Sequence, residues 1–234
     1  MFKKSQSLIQ KLENRVFKDF KPTDKQGTIN YYNNVLSLKN INYNDDILIL
    51  YRNHFFRSQI ESQLIKLGLP YKIDGKNVGY CDIPEFRALK IFLSLKNEKL
   101  KSYDLTEKQT NLMSKFFCSK YKKLDINTVL LNDWEMVFNF EYKKKKYLKS
   151  LFKLNKDLKF NYTIKLNTIH GAKGKEAERV IVINSLGNKF SRFSRQKKET
   201  EIRVFYVALT RTKNRLDIVN GDNSFRLISN CGII

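Results

Sequence analysis

The spacing of apolar positions changes several times along the chain, and each change marks an element. Residues 5–17 carry Leu8, Leu12 and Val16 at every fourth position, which predicts one buried face of a helix. Residues 18–45 are polar, contain Pro22 and Gly27, and predict loop with one short strand near Thr28–Tyr32. An unbroken apolar run, Ile47-Leu48-Ile49-Leu50, follows Asp45 and Asp46. A strand covered on both faces of a parallel sheet has no polar face to alternate with, so it reads this way. Helical spacing returns over 56–67 with Ile60, Leu64 and Leu67, and Gly68 stands where a helix would stop. Pro70–Ile73 predicts a second short strand. Asp82 and Pro84 then predict the start of a helix through Phe86, Leu89, Ile91, Leu93 and Leu95.

From 96 to 160 the pattern is strongly basic and helix-like, with no turn-dense alternation. The earlier rhythm then resumes. Thr163–Leu166 and Val180–Ile183 predict strands, 188–200 a polar charged loop, 200–210 a helix, and Leu216–Val219 a last strand. Strands alternating with helices imply an α/β fold with a parallel sheet covered on both faces. The expected organisation is one α/β domain in two segments, 1–95 and 160–234, interrupted by a basic helical insertion at 96–159.

Composition sharpens this picture. With 234 residues, 41 % of them apolar, the chain can build one sizeable core and a modest insertion. The formal net charge is +22, which points to a polyanionic partner, nucleic acid before an anionic membrane surface. No apolar run approaches the roughly 18 residues that span a bilayer, so no membrane partner is expected. Met1–Leu8 is basic with no apolar core behind it, and no signal peptide is expected. Cys81, Cys118 and Cys231 are odd in number and scattered, and the chain has only two histidines, His54 and His170. Neither a disulfide framework nor a metal site is expected, and a reducing compartment fits, the cytoplasm or another that holds DNA.

Three short segments and one charge run carry candidate chemistry. In Thr168-Ile169-His170-Gly171-Ala172-Lys173-Gly174-Lys175-Glu176, two glycines beside a lysine suit a turn that brings backbone N–H groups to phosphates. An ordinary strand–helix turn is the alternative. It is not a Walker loop, because Gly-x-x-x-x-Gly-Lys-Ser/Thr occurs nowhere in the 234 residues. In Tyr206–Lys213, Arg211 follows Val204, Val207 and Ala208 at the end of a helix. It is either aimed at a phosphate or a surface arginine favoured by the helix dipole. Tyr51-Arg52-Asn53-His54 lies just past the end of the first clear strand, the edge where open α/β sheets bind ligands. It reads as a phosphate or base contact, or as a solvated loop. The run Lys143–Lys146, between Tyr142 and Tyr147, reads as a backbone-binding patch or a solvated helix face.

The order and spacing of these segments resemble the late motifs of the UvrD/PcrA/Rep group of superfamily 1 DNA helicases. In that group a strand ends in a Val-Leu-Tyr-Arg-Thr-Asn-like motif and a helix leads to Ile-Pro-Tyr. Here the chain has Ile47 to His54, Glu61 within the helix, and Leu69-Pro70-Tyr71. A glycine, an aromatic and Glu-Ile follow in the family, and Gly75, Tyr80 and Glu85-Phe86 here. Motif V, Thr-x-His-x-Ala-Lys-Gly-Leu-Glu, is similar to Thr168–Glu176. Motif VI, Tyr-Val-Ala-x-Thr-Arg-Ala, is similar to Tyr206–Thr212, with Glu201 and Arg203 before it. The likeness covers roughly 1–95 and 160–234, and 96–159 sits where the family carries a large accessory insertion, here much reduced.

The resemblance implies the second RecA-like domain of an ATP-dependent 3′→5′ DNA helicase. It implies Arg211 as the arginine that reaches the γ-phosphate, Glu176 on the nucleotide ribose, and Lys173 and Gly174 in the loop that couples nucleotide to DNA. It implies Arg52, His54, Thr168 and His170 as contacts to single-stranded DNA. Phe2-Lys3-Lys4-Ser5-Gln6 stands where the family has Tyr-Arg-Ser-x-Gln, so Lys3 takes the place of a second γ-phosphate arginine; lysine keeps the charge and loses the planar fork. His54 replaces the family asparagine and Lys175 a leucine. The implied cofactor is ATP with Mg²⁺. The implied partners are single-stranded or partly duplex DNA and a separate P-loop-bearing N-terminal domain or subunit. The alternative reading is a catalytically inactive, helicase-derived module that binds single-stranded DNA or acts as a scaffold.

Overall fold

The structure, a computed structural model, describes residues 12, 26–43, 45–73, 77–78, 83–154, 163–186 and 194–221. Apart from the buried Leu12, the expected first helix lies outside these residues, as do Lys3, Gly75, Tyr80 and Asp82. The chain divides into two compact units. One comprises 1–64, 71–76 and 162–234, and the other 65–70 and 77–161. The division falls earlier than residue 95, so the helix that begins at Pro84 goes with the second unit.

The first unit is built on strands β1 (Thr28–Tyr32), β2 (Ile47–Tyr51), β3 (Tyr71–Ile73), β5 (Ile164–Thr168), β6 (Ala177–Asn184) and β7 (Thr212–Asn220). These six pair in parallel in the order β1-β7-β6-β2-β5-β3. β2 lies between β5 and β6 and is buried at every residue, as its apolar run predicts. Helix α1 (His54–Leu67) follows β2, and helix α7 (Arg195–Leu209) precedes β7. The α1 stripe buries Phe56, Ile60 and Leu64, at every fourth residue.

On one face of the sheet Leu48, Leu50, Val180, Val182, Leu216 and Ile218 alternate along their strands and pack with Phe205, Ala208 and Leu209 of α7. Ile169, Ala172 and Ala177 belong to the same core, so the β5–β6 connection is anchored in it at Ile169 and Ala172. The sheet also buries an ion pair. Arg179 is 3 % exposed and Asp217 fully covered, and the arginine Nε donates to the carboxylate. Arg179 also donates to the Asn42 carbonyl at 2.7 Å, and Asn30 donates to Asp217 at 2.8 Å. The charges are thus compensated where water is excluded. Beside them burial pushes the Tyr43 phenol well above its ordinary range, with Arg179 opposing the shift.

Two sequence expectations need correction. The stretch 188–200 is not loop throughout: α7 begins at Arg195, and 187–193 lie outside the described residues. The first turns of α7 lack an apolar stripe. They are held by the Ser194 hydroxyl, which accepts from the Lys197 N–H, and by Glu199, four residues from both Arg195 and Arg203 and ion-paired with each. The buried face of α7 is Glu201, Phe205, Ala208 and Leu209, with Val204 and Val207 only half-buried. Residues 35–40 form a 3₁₀ turn where only loop was expected. The Asn34 side chain caps it, and Val35 and Leu38 anchor it.

The second unit holds the two-residue strand β4 (Asn77–Val78) and helices α2 (Pro84–Lys96), α3 (Glu107–Ser114), α4 (Ile126–Leu130), α5 (Trp134–Val137) and α6 (Tyr142–Leu154). Its core is aromatic: Phe92, Phe117 and Phe140 all pack against Phe138. The lysine run on α6 is split by its surroundings. Lys144 donates to Glu85 at 2.6 Å and Lys145 to the Glu135 carbonyl, whereas Lys143 and Lys146 are exposed. Of the flanking tyrosines, Tyr147 is buried and Tyr142 is 77 % exposed. Gly68, at φ +66°, lies against this helix; a Cβ there would meet the Ser150 backbone at 2.7 Å. Among the described residues no helix is long and apolar enough to cross a membrane.

Candidate functional site

All strands of a parallel sheet end at the same edge, and that fact sorts the candidate residues into two groups. β2 ends at Tyr51 and β5 at Thr168, and these two residues are register partners. Arg52, His54, Thr168 and His170 therefore gather at the C-terminal edge. The Ile169 N–H donates to the Tyr51 carbonyl at 3.0 Å and ties the two strand ends together. The Thr168 hydroxyl accepts from the Gly171 N–H at 3.0 Å, which turns the chain and leaves the His170 ring exposed. His54, also exposed, opens α1 with its ring edge-on to Tyr51 at 6.1 Å. The first turn of α1 carries no acidic residue, so its positive dipole end is not neutralised.

Arg52 is not a free cation. Its Nε and Nη2 donate to the two carboxylate oxygens of Glu201, each at 2.8 Å. Those hydrogen bonds push the guanidinium pKa above its ordinary value, against the opposing effect of burial. The Glu201 side chain is 6 % exposed and that of Arg52 30 %, so the pair is buried on the glutamate side and open on the arginine side. A two-point grip of this kind fixes the plane of the guanidinium. The sequence reading noted Glu201 only as a neighbour of motif VI. Its position four residues before Phe205, on the buried stripe of α7, was the available signal that it faces inward.

Glu176 and Arg211 gather at the opposite edge. Each immediately precedes a strand, and the first residues of those strands, Ala177 and Thr212, are register partners. The Ala177 N–H donates to the Arg211 carbonyl at 3.1 Å. Glu176 is exposed. Arg211 folds back on the end of α7. Its Nε donates to the Val207 carbonyl at 3.1 Å and its Nη2 to the Thr210 hydroxyl at 3.2 Å. Both acceptors are neutral, and among the described residues no carboxylate pairs with it.

The segment 169–176 runs between the two edges. Lys173 and Gly174 lie on it, both exposed. Gly174 has φ +78° with open space where a Cβ would stand, so its backbone conformation and not crowding calls for glycine. Lys175, which stands where the resembling family has leucine, donates to the buried Asn167 side chain at 2.9 Å and pins the segment to β5. Among the described residues no group of three or more His, Cys, Asp or Glu side chains is placed to hold a metal. Lys3 lies outside the described residues.

Nothing in the sequence pattern singles out Phe55. It is 68 % exposed on the first turn of α1, at the edge that holds Arg52 and His54.

Comparison with known proteins gives one family. A model described as the UvrD-like helicase C-terminal domain matches residues 83–221. No curated protein matches the chain.

Proposed function

The chain belongs to the UvrD-like helicase C-terminal domain family, and from that premise we propose that its sheet forms one wall of an ATP site and one stretch of a single-stranded DNA track. The fold is α/β and RecA-like, and the chain is a helicase component. The observation that carries the finer reading is the sorting of residues: Glu176 and Arg211 at one edge, and Arg52, His54, Thr168 and His170 at the other.

The first edge fits a nucleotide. Arg211 is held only by neutral oxygens, and each such bond from its charged guanidinium contributes roughly 1.5–3 kcal/mol net. An anionic phosphate is a stronger, charge-assisted acceptor and can draw it away. Its guanidinium then stabilises the negative charge that spreads over the γ-phosphoryl oxygens during transfer. Glu176 accepts hydrogen bonds from the ribose hydroxyls. ATP with Mg²⁺ supplies the phosphoanhydride bond whose hydrolysis drives the motor. The P-loop comes from outside these 234 residues, in the same polypeptide or another chain.

The second edge fits a strand of DNA. Arg52 is held in a fixed plane by Glu201, and His54 and His170 add donors around it. Segment 169–176, with Lys173 and Gly174, links the two edges and carries the state of one to the other. The second unit takes the place of the family's accessory insertion in reduced form.

The test is to recover the tagged full-length chain from its own cells with whatever accompanies it and to measure DNA-stimulated ATPase. Activity in that assembly, lost with Arg211→Ala, is the expected outcome. ATPase that is indifferent to Arg211→Ala would overturn the nucleotide role. DNA binding with no associated ATPase would mean a helicase-derived binding module instead.

A further inference from the structure

Phe55 is an apolar side chain in a place where folding alone gives it no use. On α1 the inward stripe is Phe56, Ile60 and Leu64, each buried. Phe55 is one residue out of phase with that stripe, about 100° around the helix, and is 68 % exposed. Its ring stands edge-on to Phe56, with centroids 5.4 Å apart and planes at 78°. The buried ring thus braces the exposed one. Phenylalanine has no polar end to reach solvent, unlike the exposed tyrosines elsewhere in the chain.

The surroundings say what the ring meets. It follows Arg52 and His54 at the edge where β2 and β5 end. The net charge of the chain is +22. An exposed aromatic ring beside an arginine and a histidine, in a strongly basic chain, is the composition of a single-strand platform, in which basic groups follow the phosphates and the ring takes a base. A duplex hides its base faces, so this chemistry selects unpaired strand.

We infer that Phe55 stacks on a base of single-stranded DNA at this edge, beside the backbone contacts of Arg52 and His54. The inference rests on the proposed DNA track and adds a base contact to it. Stacking is tolerant of sequence, because every base offers a flat face.

The test compares the full-length chain with Phe55→Ala and Phe55→Trp on two fluorescent oligonucleotides of equal length, one of thymidines and one abasic throughout. Loss of one stacked base weakens binding by roughly five- to a hundredfold. Phe55→Ala should lose affinity of that order for the thymidine strand and none for the abasic strand. Phe55→Trp should restore it. Because no phosphate contact is removed, the slope of affinity against salt should stay constant. Equal binding of the thymidine strand by Phe55→Ala and the unaltered chain overturns the stacking role and leaves the DNA track standing. Equal loss on both strands also overturns it, by showing a general disturbance of the surface. Failure of the unaltered chain to hold either strand overturns the track and the stacking role together.

Discussion

At the edge where β6 and β7 begin, Arg211 rests on two neutral oxygens of its own helix end. At the edge where β2 and β5 end, Arg52 is gripped at two points by a buried carboxylate. The two guanidiniums carry the same charge and are held differently. On the proposed reading, the arginine that rests on neutral acceptors moves to a transient phosphate, and the one clamped by a buried carboxylate presents a fixed surface to a strand. Arg179, buried against Asp217, is the limiting case of an arginine given over wholly to structure.

The sharpest way to break this contrast is Arg211→Ala. Because a finger arginine contributes about 10³-fold or more to phosphoryl transfer, ATPase of the assembled helicase should fall by at least about a thousandfold. Thermal stability of the chain should stay near its starting value. A large stability loss with little change in rate would make Arg211 a structural capping residue.

Asp217→Ala gives the opposite profile. It strands the Arg179 charge in the core and should destabilise the sheet unit by about 3–5 kcal/mol, read from denaturant unfolding. A loss below about 1 kcal/mol would mean that water reaches the arginine.

Glu201→Gln tests the grip on Arg52. It removes one negative charge beside the edge proposed to meet DNA, so single-strand affinity at low salt should rise. The log–log salt slope should steepen by up to about one unit, the value of one more phosphate neutralised. An unchanged slope would show that Arg52 does not meet a phosphate. The smallest effect belongs to Gly174→Ala. There is room for the methyl group, but the left-handed backbone costs about 1–2 kcal/mol. A modest drop in melting temperature should accompany weaker coupling between DNA and ATPase.

How much of this could be read from sequence depended on whether local pattern or distant contact decides each feature. The β2 run was legible because burial on both faces leaves no other pattern, and Gly68 because a helix that ends in the left-handed region favours glycine. The start of α7 was not legible. Its first two turns are polar, and a serine cap with ion pairs around Glu199 holds them instead of an apolar stripe. The candidate residues of motifs V and VI came from resemblance, and their placement at opposite edges needed the sheet. The clamp on Arg52 joins residues 149 positions apart, beyond any local pattern. Phe55 and Phe56 look alike in sequence, and only the phase fixed by Ile60 and Leu64 tells which one faces water.

The β5–β6 connection has a mechanical side. Ile47 is level with both Ile164 and Arg179, so Ala177 lies about 20 Å below Thr168 along the strands at about 3.3 Å per residue. It is also two strands across, about another 10 Å. The straight path is therefore about 22 Å, while the linking residues could reach about 30 Å if fully extended. The 3₁₀ turn at His170–Ala172 takes up part of that difference, and Ala172 is seated in the core. The turn rises only about 2 Å per residue, which leaves roughly 4 Å of slack, and the segment is anchored midway. A displacement at Glu176 therefore reaches His170 only if Ala172 shifts in the core with it, so the seat of Ala172 sets how firmly the two edges are joined.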